Sequence, residues 1–271
     1  MPFDPRLSTK DLFLSLGRAE APLIVDVRID DDFAADPRRL PGSVLCSHSS
    51  VKDFMARRSD RVVAVVCQRG LKLSEGAAAM LRLDGITARV LEGGFEAWKK
   101  AGLPLVPEGE NPLAGGAARS LWVTRERPKI DRIACPWLIR RFIDRNAEFL
   151  FVRDTEVAAV AERFGAIPFD VEGVRWSHSG PECTFDTMIR AFDLMHEPMQ
   201  RLAAIVRGAD TARLDLAPQA AGLLAVSLGL SRLFSDDLAQ LDAGMLIYDA
   251  LYRWCVEASG ETHNWPAGKT Q

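Results

Sequence analysis

One segment constrains this chain more than any other: Val62-Val63-Ala64-Val65-Val66-Cys67-Gln68-Arg69-Gly70-Leu71-Lys72-Leu73-Ser74-Glu75-Gly76. Its first five residues are continuously apolar, the pattern of a strand buried on both faces. A thiol follows, then a short loop with one glycine, then a helical pattern. A strand–loop–helix unit of this kind belongs to a parallel α/β sheet, which gathers its ligands at the carboxyl ends of its strands. A loop wrapped over a helix N-terminus turns backbone N–H groups inward and adds the positive end of the helix dipole. Such a cradle lowers a thiol pKa and holds an anion beside it. Arg69 and Lys72 add positive charge.

The same alternation continues on both sides. Leu23–Val25 and Thr87–Leu91 read as further strands, and Ser8–Leu16, Ser50–Arg57, Glu75–Leu83 and Phe95–Ala101 as helices. Ser8, three residues before Asp11, has the spacing of a capping box. Residues 108–119 are rich in Gly, Pro and Ala without periodicity and read as a linker. Trp98 is the only tryptophan before it, and the other five follow. The 271 residues therefore divide into 1–107, the linker, 120–258 and a flexible polar tail at 259–271. In the second half, Leu121–Thr124 and Glu148–Val152 read as strands. Helical patterns cover Ile133–Ile143, Glu156–Phe164, Phe185–Asp193, Pro198–Val206, Pro218–Phe234 and Asp236–Glu257. The expected fold class is α/β: an N-terminal parallel sheet flanked by helices, followed by a mostly helical α/β domain.

Four motifs in order give residues 1 to about 107 a resemblance to the rhodanese family. They are Leu23-Ile24-Val25-Asp26-Val27-Arg28, the turn Leu40-Pro41-Gly42-Ser43, the six-residue loop Cys67–Lys72, and Val90-Leu91-Glu92-Gly93-Gly94-Phe95-Glu96-Ala97-Trp98. Lys72 stands where that family commonly has arginine. The resemblance implies a sulfurtransferase that needs no cofactor. Cys67 would take the outer sulfur of thiosulfate or of a persulfide donor and pass it to a thiol or another nucleophile. Gln68, Arg69, Gly70, Leu71 and Lys72 would bind the substrate, their amides stabilising anionic sulfur. Asp26 and Arg28 read better as a buried ion pair that supports the loop than as catalytic groups. Phosphatases and arsenate reductases on this fold use a seven-residue loop ending in arginine, but here the seventh residue is Leu73. Cys46 and His48 read as a strand residue and a loop histidine, with a resolving thiol as the alternative.

The second half resembles the ChrB-type chromate-resistance C-terminal domain. The resemblance rests on Trp122 through Phe142, Ser177-His178-Ser179-Gly180-Pro181-Glu182-Cys183-Thr184-Phe185-Asp186 and Ile205-Val206-Arg207-Gly208-Ala209-Asp210. Arg125–Arg145 holds seven basic residues against three acids, which could bind an oxyanion such as chromate or sulfate or could form a solvated helix face. A second reading is a zinc or iron site built from Cys135, His178 and Cys183, with Asp131 and Glu182 as further ligands. Asp131 and Cys135 share a helix face if the helix begins that early. The alternative packs both thiols beneath their helices.

The formal net charge of −3 and the absence of a DNA-binding motif count against a nucleic-acid partner. Five cysteines, with no C-x-x-C pair, fit free thiols in a reducing compartment. No apolar stretch approaches membrane-spanning length, and Met1–Arg6 lacks the pattern of a signal peptide, so a cytoplasmic location is expected. The leading expectation is sulfur transfer on Cys67, joined to a domain that binds an oxyanion or metal. A chromate-responsive sensor or regulator and an oxyanion reductase are the alternatives.

Overall fold

A computed structural model describes residues 3–114 and 119–261. The first half runs β1 (Arg6–Leu7), α1 (Thr9–Ser15), β2 (Leu23–Asp26), α2 (Asp30–Ala35), β3 (Arg38–Arg39), β4 (Ser43–Leu45), α3 (Val51–Ala56), β5 (Val62–Val66), α4 (Lys72–Leu83), β6 (Thr87–Leu91), α5 (Gly94–Lys100) and β7 (Val106–Pro107). Five of these strands form one parallel sheet in the order β1-β6-β5-β2-β4. The continuous apolar run Val62–Val66 becomes the central strand, as burial on both faces requires. Ser8 caps α1, its Oγ accepting from the Asp11 N–H at 3.0 Å.

The second half runs β8 (Leu121–Arg125), α6 (Ile130–Phe142), β9 (Glu148–Val152), α7 (Val157–Phe164), β10 (Ile167–Pro168), α8 (Thr184–Ala191), α9 (Glu197–Asp210), α10 (Ala220–Leu233) and α11 (Asp237–Arg253). A π-helical turn, Trp254–Ala258, extends α11. Its small parallel sheet has the order β10-β8-β9, and the helices carry the rest. The fold class is thus the expected one, with α2, β1, β3, β4, β7 and β10 added. None of these exceeds six residues, too short for a periodic signal.

Two helices begin earlier than their apolar periodicity suggests. α4 starts at Lys72 rather than Glu75, which places Ser74 in its first turn. α6 starts at Ile130 rather than Ile133, which puts Asp131 and Cys135 on one face. Ten of the 13 residues of α6 are buried, so its pattern is apolar nearly all round and its start is masked.

The linker is partly anchored. Val106–Pro107 pairs antiparallel with Arg38–Arg39, and Glu108–Glu110 form a 3-10 turn. Asn111 and Leu113 are buried, while residues 115–118 lie outside the described residues. Of the tail, residues 262–271 also lie outside them. One apolar core joins the halves: Leu12, Leu16, Phe95 and Trp98 belong to the same cluster as Trp137, Phe142 and Tyr252. Gly17, at φ +75°, sits so close to α11 that an added Cβ would lie 2.4 Å from the Tyr252 ring. Arg145 reaches back to Asp60 at 2.5 Å and to the Ala21 carbonyl at 2.8 Å. Among the described residues, no helix is long and apolar enough to cross a membrane.

Candidate functional site

Cys67 ends the central strand and is 4% exposed, at the floor of its loop. The loop is shaped by the Gly93-Gly94 turn. The Phe95 and Glu96 N–H groups donate to the Cys67 and Gln68 carbonyls at 3.0 and 3.1 Å. With those carbonyls held outward, the loop amides are free to face the sulfur. Gly70 and Gly94 are both left-handed. A Cβ on Gly94 would stand 2.2 Å from the Cys67 carbonyl oxygen and 2.5 Å from the Gly70 nitrogen. Only glycine permits that approach.

The sulfur meets a donor set. Cys67 Sγ lies 3.1 Å from Ser74 Oγ, and the backbone N–H groups of Ser74, Leu71 and Arg69 point at it. Burial pushes the Cys67 thiol up, but the Ser74 hydroxyl and these amides outweigh it, so its pKa falls below the usual thiol value. The other four thiols shift the other way. Burial raises Cys46, Cys135, Cys183 and Cys255, the last to about 11. Of the five thiols, Cys67 is thus the one whose surroundings favour the thiolate. Arg69, Leu71 and Lys72 are exposed at the mouth, and Gln68 Nε2 donates to Glu96 Oε1 at 2.5 Å.

Asp26 and Arg28 form a bidentate pair at 2.7–2.9 Å, both side chains fully buried. The guanidinium also donates to the Asp36 and Arg38 carbonyls and stacks 3.9 Å above the Phe95 ring. It thus ties the end of β2 to the helix that shapes the loop. Cys46 and His48 follow β4 and line a cleft of about 340 Å³ with Phe33 and Leu45.

In the second half, His178 and Asp131 come together. His178 Nε2 stands 3.6 Å from Asp131 Oδ2, 3.5 Å from Asp170 Oδ1 and 3.2 Å from Asp210 Oδ2. Ligand atoms of Asp131, Asp170 and His178 all lie within 4.8 Å of one another. Cys135 and Cys183 stay outside that group. Cys135 is fully buried in α6, and Cys183 caps α8 with its Sγ 3.3 Å from Asp186 Oδ2. Burial and neighbouring carboxylates keep both thiols protonated. Glu182 points away, paired with Arg190. Burial, with repulsion from Asp210 and Asp170, raises the pKa of Asp131, and burial with Asp170 raises that of Asp210.

The basic segment forms no ladder of i,i+4 pairs, and its Arg140, Arg141 and Arg145 line a cavity of about 200 Å³ with Arg18. Its arginines disperse into tertiary contacts. Arg125 and Arg132 reach Asp170, the Arg127 guanidinium donates to the Phe234 and Ser231 carbonyls, and Arg140 reaches Asp242. Arg141 grips Asp249 with two bonds of 2.8 Å, and Arg145 reaches Asp60.

Sequence reasoning missed Ser74, Asp170 and Asp210. Ser74 depends on where α4 begins, and Asp170 follows a two-residue strand. Asp210 carried a signal, since it closes the motif Ile205–Asp210, but it lies beyond the helix read as Pro198–Val206.

Comparison with known proteins gives two separate matches along the chain. Residues 9–101 match the family model of the rhodanese-like domain, and residues 122–255 match that of the ChrB C-terminal domain. Protein ChrB of Cupriavidus metallidurans is 33% identical over 132 residues, covering 48% of this chain. The match spans 39% of that relative's own length. Among solved structures, a rhodanese-related protein from Thermoplasma volcanium is 23% identical, with a TM-score of 0.33, over 38% of this chain and 98% of that one. A rhodanese-like domain protein from Staphylococcus aureus is 27% identical, with a TM-score of 0.31, over 35% of this chain and 91% of that one. Residues 9–101 are thus a rhodanese-like domain and residues 122–255 a ChrB C-terminal domain, joined in one chain.

Proposed function

We propose that the protein is a sulfur carrier whose Cys67 takes up sulfane sulfur as a persulfide, and that its ChrB-type half serves chromate resistance. The observation that carries this reading is the contrast among the five thiols: Cys67 is shifted down, and the other four are shifted up. With thiosulfate, the Cys67 thiolate attacks the outer sulfur. The Cys67 S–S bond forms, the thiosulfate S–S bond breaks, and its electron pair leaves with sulfite. The negative charge passes to the outer persulfide sulfur, where the loop N–H groups of Arg69, Leu71 and Ser74 receive it. An acceptor thiolate or cyanide then attacks that outer sulfur and releases Cys67 as thiolate, so no outside oxidant or reductant is needed.

Arg69 and Lys72 at the mouth favour an anionic donor. The six-residue loop suits a single sulfur atom better than a tetrahedral oxyanion. Thiocyanate formation from thiosulfate and cyanide tests the reading. Wild type turns over, and Cys67→Ser falls to the uncatalysed rate. Equal rates for the two proteins contradict it.

A further inference from the structure

Four side chains from separate elements converge beneath the surface of the second half. Asp131 lies in the first turn of α6, Asp170 follows β10, His178 precedes α8 and Asp210 ends α9. We propose that Asp131, Asp170 and His178 bind one divalent first-row metal ion of the Mn²⁺/Fe²⁺ class, with Asp210 beside His178, at a site distinct from the Cys67 loop and independent of its chemistry.

Three observations carry the site. First, His178 Nε2 faces three carboxylate oxygens at 3.2–3.6 Å. One N–H can serve only one of them. Two ligands on a shared ion, each about 2.1 Å from it, stand roughly 3.0–3.4 Å apart, and the His178 contacts to Asp170 and Asp131 approach that spacing. Second, the charge is uneven. Arg125 and Arg132 both stand on Asp170, at 3.5 and 3.3 Å. The ion-pair contacts of Asp131 and Asp210 among the described residues lead only to His178. Two such carboxylates, one of them 1% exposed, are costly to bury without a cation. Third, Asp131 faces His178 with Oδ2 and holds its other oxygen, Oδ1, buried and without a hydrogen-bond partner. Its Oδ2 accepts from the Thr184 and Phe185 N–H groups at the start of α8. Capping therefore accounts for half of this carboxylate and leaves the other half unassigned.

The ligand set selects the ion. Two carboxylates and one imidazole, with the Asp210 carboxylate alongside, are too hard for copper(I) and too anionic to hold an oxyanion. With 45% of its side chain exposed, His178 opens the site to solvent, so the ion keeps positions for water or a small ligand.

The test uses the full chain stripped with EDTA and titrated with Mn²⁺, read by the loss of the free-ion electron paramagnetic resonance signal. One Mn²⁺ per chain is expected, with a rise in the thermal midpoint on binding. Asp170→Asn and His178→Ala weaken binding at least tenfold, while Cys67→Ser binds as wild type. Electron spin-echo modulation from a single imidazole nitrogen reads the same contact in wild type, without reliance on any variant. Absence of saturable binding, binding unchanged in both variants, or a bound Mn²⁺ without nitrogen modulation would each overturn the proposal.

Discussion

At the scale of single residues, the chemistry turns on what surrounds one sulfur. Ser74 Oγ also donates to the Leu71 carbonyl at 3.0 Å, so its one proton is shared between that oxygen and Cys67. When the sulfur is a thiolate, the hydroxyl turns to it. A hydrogen bond to a charged group contributes about 1.5–3 kcal/mol, or about one to two pK units. Ser74→Ala removes a bond that favours the charged form, so the Cys67 pKa rises. The acid limb of the sulfur-loading rate should then move up by about one to two pH units, with the rate recovered at alkaline pH. An unmoved limb would show that the amides alone hold the thiolate. The setting of Cys67 is legible in the sequence, because an apolar strand that ends in a thiol before a glycine loop and a helix places backbone amides around that sulfur. Ser74 was not, because its meaning depends on a helix that begins three residues before its apolar periodicity does.

At the scale of elements, the loop and the start of α5 act as one piece. The sequence carried Gly93-Gly94 as a family motif, and the backbone supplies its physical reason: Gly94 is left-handed and sits against the Cys67 carbonyl and the Gly70 nitrogen. Gly94→Ala meets backbone atoms rather than a flexible side-chain end. It should cost about 1–3 kcal/mol of stability and abolish sulfur transfer. Denaturant midpoints and thiocyanate turnover measure the two effects, and a Gly94→Ala protein that remained both stable and active would contradict the packing described. The metal-ligand set shows the opposite side of legibility. Asp131, His178 and Asp210 stand in motifs of the second half, but those motifs lie far apart in the chain, and Asp170, just after a two-residue strand, stands in none of them. Their convergence is tertiary and leaves no spacing in the chain.

At the scale of the whole molecule, the linker suggested two beads, but the apolar core runs through both. Composition reports how many aromatic residues follow the linker and says nothing about which face they cover. His196 lies at this seam, its ring edge-on to Phe13 of the first half at 5.3 Å and 6.1 Å from Tyr252. Both its ring nitrogens are buried without hydrogen-bond partners among the described residues, and burial pulls its pKa down to about 4. The unfolded chain protonates it near 6.5. Stability is therefore complete above about pH 6.5 and is lost as pH falls from there toward 4, by about 3 kcal/mol in all. His196→Phe should flatten that decline in denaturant melts. An identical pH dependence in the variant would show that another group sets it.

Sulfur transfer stands or falls with one thiol, and intact mass after incubation with thiosulfate reads that thiol directly. Wild type should gain one sulfur atom, lost again on addition of cyanide, and Cys67→Ser should gain none. Wild type left unmodified, or a sulfur atom still taken up by Cys67→Ser, would contradict the assignment of Cys67 as the carrier.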